Sequence, residues 1–154
     1  MFLGAVLSSV PGRKYYLVSE PKDWTAAQSF CREKFSDLAS IQSAADVEGV
    51  TGDFRKCFSL QTPWIGLYDD VNSWRWSISD SDFYQQGEEK FRNWAFGEPN
   101  NNYGRENCAE MYGDGRWNDE FCNQTQSSIC LDVKGQHFIC DKMIGCCNFP
   151  LMEV

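Results

Sequence analysis

Hydrophobic and polar positions divide the chain into short periodic runs separated by turn chemistry. Residues 14–18 (KYYLV) are aromatic and β-branched and are closed by Ser19-Glu20-Pro21, which reads as an opening strand. Asp23 can then cap a helix in which Trp24, Ala27, Cys31 and Phe35 recur at the spacing of one face, leaving Lys22, Arg32, Glu33 and Lys34 for solvent. Residues 38–41 (LASI) read as a short strand or connector. Ser43 with Asp46 three residues later is a capping-box signature for a second helix, with Val47, Val50 and Phe54 along its face. Gly49 and Gly52 each weaken that helix by about 1 kcal/mol relative to Ala, so packing rather than propensity must hold it.

From Trp64 onward the pattern changes to brief aromatic runs alternating with turn residues: 64–67 (WIGL), 74–77 (WRWS) and 91–94 (FRNW), with an acidic stretch at 80–82. These are strands and loops, and a small domain with long loops needs large side chains in its core, which assigns Trp64, Trp76 and Trp94 there. Residues 109–112 (AEMY) and 116–119 (RWND) flank Gly113-Asp114-Gly115 as a hairpin would, and 126–131 close the domain with Cys130 on a final strand. Residues 134–154 have no period of their own.

Between these elements, residues 97–119 (GEPNNNYGRENCAEMYGDGRWND) concentrate oxygen donors. Glu98, Asn100, Glu106, Asn118 and Asp119 supply carboxylate and amide oxygens, and Pro, Gly and repeated Asn in the first part leave no apolar period. The same residues are ordinary turn formers, but both donor segments sit beside cysteines, Cys108 and Cys122, and a disulfide between those two would join the segments. A flexible all-oxygen set suits calcium, which takes about six to eight oxygens. Magnesium demands a tighter octahedron, and zinc favours His or Cys.

Composition narrows the classes. A length of 154 residues with 42% hydrophobic and 15% aromatic residues is enough for one core. The formal net charge of −8, with no basic stripe, argues against nucleic acid and against anionic membranes. Eight cysteines, without a C-x-x-C pair or Cys/His metal spacing, read as disulfides made in an oxidising compartment, so secretion is the expectation. Residues 1–12 contain a short apolar run without a basic start and read as a truncated signal peptide or leader. No apolar run approaches the roughly 20 residues of a membrane-spanning helix. The single histidine, His137, lies in the tail, so no Ser/His or Cys/His dyad forms within the domain, and an enzyme is not expected.

Glu98-Pro99-Asn100, Glu106-Asn107-Cys108 and Trp117-Asn118-Asp119, in that order, resemble the calcium and sugar motifs of the C-type lectin-like domain. Trp64-Ile65-Gly66-Leu67 is similar to the family's core tetrapeptide, and residues 24–31 to its first helix. The resemblance covers residues 13–131 and leaves 132–154 as a tail. It implies an α+β fold of two helices with small antiparallel sheets and a long calcium-binding loop, stapled by disulfides. The implied pairs are Cys31 with Cys130 and Cys108 with Cys122. In the chain-entropy model the longer closure is worth about 4.7 kcal/mol and the shorter about 3 kcal/mol. Cys57, Cys140, Cys146 and Cys147 depart from the family's pattern and are left without assigned partners.

The resemblance further implies Ca2+ as cofactor, held by Glu98, Asn100, Glu106, Asn118 and Asp119, with the same residues contacting a sugar. Two adjacent hydroxyls would donate to Glu98 and Glu106 and accept from the Asn100 and Asn118 amides. Within the family Glu-Pro-Asn goes with equatorial vicinal hydroxyls, as in mannose, fucose and N-acetylglucosamine, and Pro99 follows a cis bond. Tyr103 has two readings, contact with the sugar ring or filling of the loop. Asn101 and Asn107 stand where an auxiliary calcium site carries acids, with Asp69 or Asp70 as its remaining candidates, so that site has lost formal charge. The expected partners are glycans, clustered or met by an oligomer, with microbial surfaces and innate immunity as the implied setting. The competing expectation is a domain of this fold that binds protein or ice. Asn123-Gln124-Thr125 is an N-glycosylation sequon.

Overall fold

A computed structural model describes residues 4–10, 12–54, 61–70 and 73–133. Strand β1 (Gly4–Val10) pairs antiparallel with β2 (Arg13–Lys22). In β2 the run Tyr15-Tyr16-Leu17-Val18 is buried on both faces, as its continuous apolar character requires. Asp23 caps α1 (Trp24–Lys34) by accepting from Ala26 N at 2.8 Å, and Trp24, Ala27, Cys31 and Phe35 are all buried. After β3 (Asp37–Leu38), Ser43 Oγ accepts from Asp46 N at 3.1 Å at the start of α2 (Ala44–Phe54), with Val47 and Val50 inward.

β4 (Trp64–Asp69), β5 (Trp74–Trp76), β6 (Glu106–Met111), β7 (Trp117–Phe121) and β8 (Gln126–Asp132) complete a sheet ordered β1-β2-β8-β4-β6-β7, with β3 on β8 and β5 on β4. The pairs are antiparallel except β4 with β8, which meet in parallel at Trp64 and Ser128. Two small antiparallel ladders are therefore joined by one parallel contact, and α+β is the class.

The period of two along the strands sorts side chains into two cores. Tyr16, Val18, Trp64, Cys108 and Cys130 pack with Trp24, Ala27, Cys31 and Phe35 of α1. Tyr15, Leu17, Ile65, Leu67, Ala109, Met111, Ile129 and Leu131 point the other way and pack with Val47, Val50, Trp76 and Trp117. Trp94 is half-buried and meets Trp117 edge-on at 5.9 Å. Gly66 is required where the backbones come together: its N–H donates to Ala39 O at 2.8 Å, and a Cβ there would lie 3.0 Å from the carbonyls of Leu38 and Ala39.

The implied pairs Cys31–Cys130 and Cys108–Cys122 both form. The first ties α1 to β8 and the second ties β6 to the end of β7. Trp24 N donates to Cys122 O at 3.0 Å, linking the start of α1 to the second bridge. Cys57, Cys140, Cys146, Cys147, His137 and the rest of the tail beyond residue 133 lie outside the described residues, as do residues 1–3 of the leader.

Candidate functional site

The long loop is anchored before its first donor residue. Asn93 Nδ2 donates to Gly115 O (2.8 Å), Trp117 N donates to Asn93 O (2.9 Å) and Ala95 N donates to Trp117 O (2.8 Å), fixing the entry along β7. The chain then turns at Phe96-Gly97, where Glu98 N donates to Ala95 O at 3.0 Å and Gly97 takes φ 84°, a left-handed value suited to glycine. The peptide between Glu98 and Pro99 is cis, as the resemblance implied.

Beyond it the loop wraps its amides around two carboxylates from the β6/β7 hairpin. Asp119 is fully buried; its Oδ1 accepts from Asn100 N at 3.0 Å and its Oδ2 from Asn101 N at 2.7 Å. Glu106 Oε2 accepts from Asn102 N at 2.7 Å, and Glu106 N donates to Asn101 Oδ1 at 3.2 Å. Asn100 Nδ2 donates to Glu98 Oε1 at 3.0 Å, and Asn100 Oδ1 accepts from Asn102 N at 3.0 Å. Glu98, Asn100, Glu106 and Asp119 thus form one hydrogen-bonded unit. Two loop residues other than glycine, Asn101 (φ 47°) and Tyr103 (φ 55°), take left-handed backbone within it.

Asn118 is oriented differently. Its Nδ2 donates to Glu110 Oε1 at 3.0 Å, and Gln126 Nε2 donates to Glu110 Oε2 at 2.9 Å. Glu110 and Gln126 escaped the sequence reading. The signal for Glu110 was present, since a hairpin turning at residues 113–115 pairs Glu110 with Asn118, and a carboxylate between Ala109 and Met111 must face away from their core. Tyr103 stands out of the loop at 84% exposure, and Phe96 on the preceding turn is fully exposed, which no periodicity argument addressed. Asp70 is engaged at 3.6 Å by Arg75, and Asn123 is exposed just after the second bridge.

Electrostatically the unit is short of positive charge. Desolvation, then contact with Asp119, holds the Glu98 carboxyl above its usual range. Glu106 is raised by desolvation and by the negative field of Asp119, Glu120 and Glu110, outweighing the Asn102 amide that opposes it. Among the described residues no ion pair reaches Glu98, Glu106, Glu110 or Asp119. No three acidic, His or Cys side chains among them converge into a closed metal cage either. The donor set nevertheless suits a hard divalent cation: it is all oxygen, Glu98 and Asp119 share the Asn100 N–H at 3.1 and 3.0 Å, and each carboxylate keeps lone pairs beyond those its loop amides use.

Comparison with known proteins places these features in context. The model of the family described as Lectin C-type domain matches residues 20–131. Bovine (Bos taurus) L-selectin is 30% identical over 131 residues, a stretch covering 82% of this chain and 34% of that protein. The chain thus spans about a third of that relative's length. Among solved structures, the cow C-type carbohydrate-recognition domain of CD23, determined in the presence of a GlcNAc2Man3 oligosaccharide, has 29% identity and a TM-score of 0.65, covering 79% of this chain and 88% of that one. A calcium-independent type II antifreeze protein shares the fold at 23% identity and a TM-score of 0.64, covering 86% of this chain and 95% of that one.

Proposed function

The chain belongs to the C-type lectin domain family, and from that premise we propose that it binds carbohydrate through calcium at the loop built by Glu98, Asn100, Glu106, Asn118 and Asp119. The observation that carries the reading is the joining of Glu98, Asn100, Glu106 and Asp119, from two separated segments, into one hydrogen-bonded, carboxylate-rich unit with no basic partner among the described residues. A calcium ion held there supplies coordination positions for two adjacent hydroxyl oxygens.

The side chains then set which hydroxyls fit. Glu98 and Glu106 accept hydroxyl protons, while the Asn100 amide, and the second N–H of Asn118, donate to hydroxyl lone pairs. Glu-Pro-Asn supports sugars with equatorial vicinal hydroxyls, of the mannose, fucose and N-acetylglucosamine type. A shallow site of this kind binds one monosaccharide near the millimolar range, about −4 kcal/mol, so useful avidity comes from clustered glycans or several domains together. Secretion, action on extracellular or microbial glycans and the absence of catalysis belong to the same proposal; the family is generally non-enzymatic. Among the described residues no helix is long and apolar enough to cross a membrane.

A second reading, binding of a protein or ice surface, draws support from the fold shared with a calcium-independent antifreeze protein and from the exposed Phe96 and Tyr103. A glycan array run in calcium and in chelator separates the two. Signals on mannose-type glycans that vanish with chelator support the lectin reading; no glycan signal in either condition favours the second.

A further inference from the structure

Glu110 is a buried carboxylate, 5% exposed, on strand β6 between β4 and β7, and its two hydrogen-bond partners are both amides. Strand pairing places it opposite Asn118 of β7 on one side and Trp64 of β4 on the other, while Gln126 reaches it from the first position of β8. A carboxylate ion can only accept hydrogen bonds, so the atom of Asn118 that faces Glu110 must be Nδ2, and Oδ1 is turned to the far side of the amide. Asn118 is thereby held in one of its two amide orientations, the one that leaves an oxygen free.

We propose that Glu110 is a positioning residue for the candidate calcium site: it touches neither ion nor sugar, and it acts by presenting Asn118 Oδ1, rather than an N–H, as a ligand atom. The inference rests on the lectin reading above. An amide flipped by 180° would aim N–H donors at a cation, and hydrogen-bonded partners behind a ligand commonly govern metal affinity by about 10- to 100-fold. Gln126 has the complementary role of occupying the second Glu110 oxygen, so that the buried carboxylate keeps a donor on each side.

Glu110→Gln tests this with almost no change in shape. A glutamine at 110 can donate as well as accept, so it also satisfies the flipped Asn118, and the orientation is no longer dictated. The expected result is calcium affinity weakened by about 10-fold or more in isothermal titration, with thermal unfolding in chelator close to wild type. The Asn118 side-chain NH2 signals in the metal-free NMR spectrum should lose their protection from solvent exchange. Unchanged calcium affinity in a folded Glu110→Gln overturns the inference while leaving the lectin reading standing; a wild type that takes up no calcium sinks the lectin reading itself. Should the variant fail to fold, the wild type alone decides. Asn118 NH2 protons that exchange as fast as those of exposed Asn101 refute the positioning role, and protected ones support it.

Discussion

Asp119→Ala removes the residue on which the loop is hung. Both Asp119 oxygens are engaged, by Asn100 N at 3.0 Å and Asn101 N at 2.7 Å, and the side chain is fully buried. Truncation strands Asn101 N and leaves Asn100 N with Glu98 Oε2 at 3.1 Å as its remaining acceptor, and hydrogen bonds to charged groups contribute about 1.5–3 kcal/mol each. Asn100 and Asn101 are themselves exposed, so water can take up part of that loss, and a cost of roughly 2–3 kcal/mol is expected in the metal-free domain. For a domain of this size that lowers the melting temperature by about 5–15 °C. Circular dichroism melts in chelator measure the loss, and the same melts in millimolar calcium should show wild type stabilised and the variant not. If the variant melts like wild type in chelator, the Asp119 hydrogen bonds do not hold the loop. If calcium still stabilises it, Asp119 is not a ligand.

Three further outcomes follow from the same contacts. Replacing Cys31 and Cys130 by serine opens a loop of sequence separation 99 and should cost about 4.7 kcal/mol, against about 3 kcal/mol for Cys108 and Cys122 at separation 14, read from urea midpoints. The raised carboxyls of Glu98 and Glu106 bind protons more tightly folded than unfolded, so their contribution to metal-free stability is full below the ordinary glutamate value and is lost as pH rises through their folded values. Calcium affinity runs the opposite way, falling on acidification as protons compete, and titrations from neutral pH down to the ordinary glutamate value should show the crossing trends. The double change Glu98→Gln with Asn100→Asp exchanges an acceptor for a donor while keeping oxygen on both residues. Calcium binding should survive, and mannose should weaken by roughly 1–3 kcal/mol for each mismatched hydrogen bond in competitive elution against galactose.

The parts legible in the sequence are those governed by local rules. Asp23 announces α1 because its side chain caps a nitrogen three residues away, and the face of Trp24, Ala27, Cys31 and Phe35 follows from helical periodicity alone. The hairpin around residues 113–115 is equally local, and it carries Asp119 to the loop. Gly4–Val10 shows the limit: a short apolar run has the same composition as a leader or as a strand, and its pairing with β2 is invisible to periodicity. Around Glu110, the pairing with Asn118 follows from the local hairpin at 113–115, whereas the arrival of Gln126 was not legible, because it comes from β8 and meets β6 only through the tertiary fold. The loop was legible as a donor set, but the capture of its amides by Asp119 and Glu106 depends on left-handed backbone at Asn101 and Tyr103, which no side-chain pattern encodes.

The central claim, that this loop reads vicinal hydroxyls through calcium, is tested most directly on immobilised mannose. The purified chain is loaded in millimolar calcium and challenged in turn with free galactose, free mannose and chelator. Retention in calcium, little elution by galactose, and release by mannose and by chelator are expected. A chain that is not retained in calcium, or that stays bound in chelator, contradicts the claim.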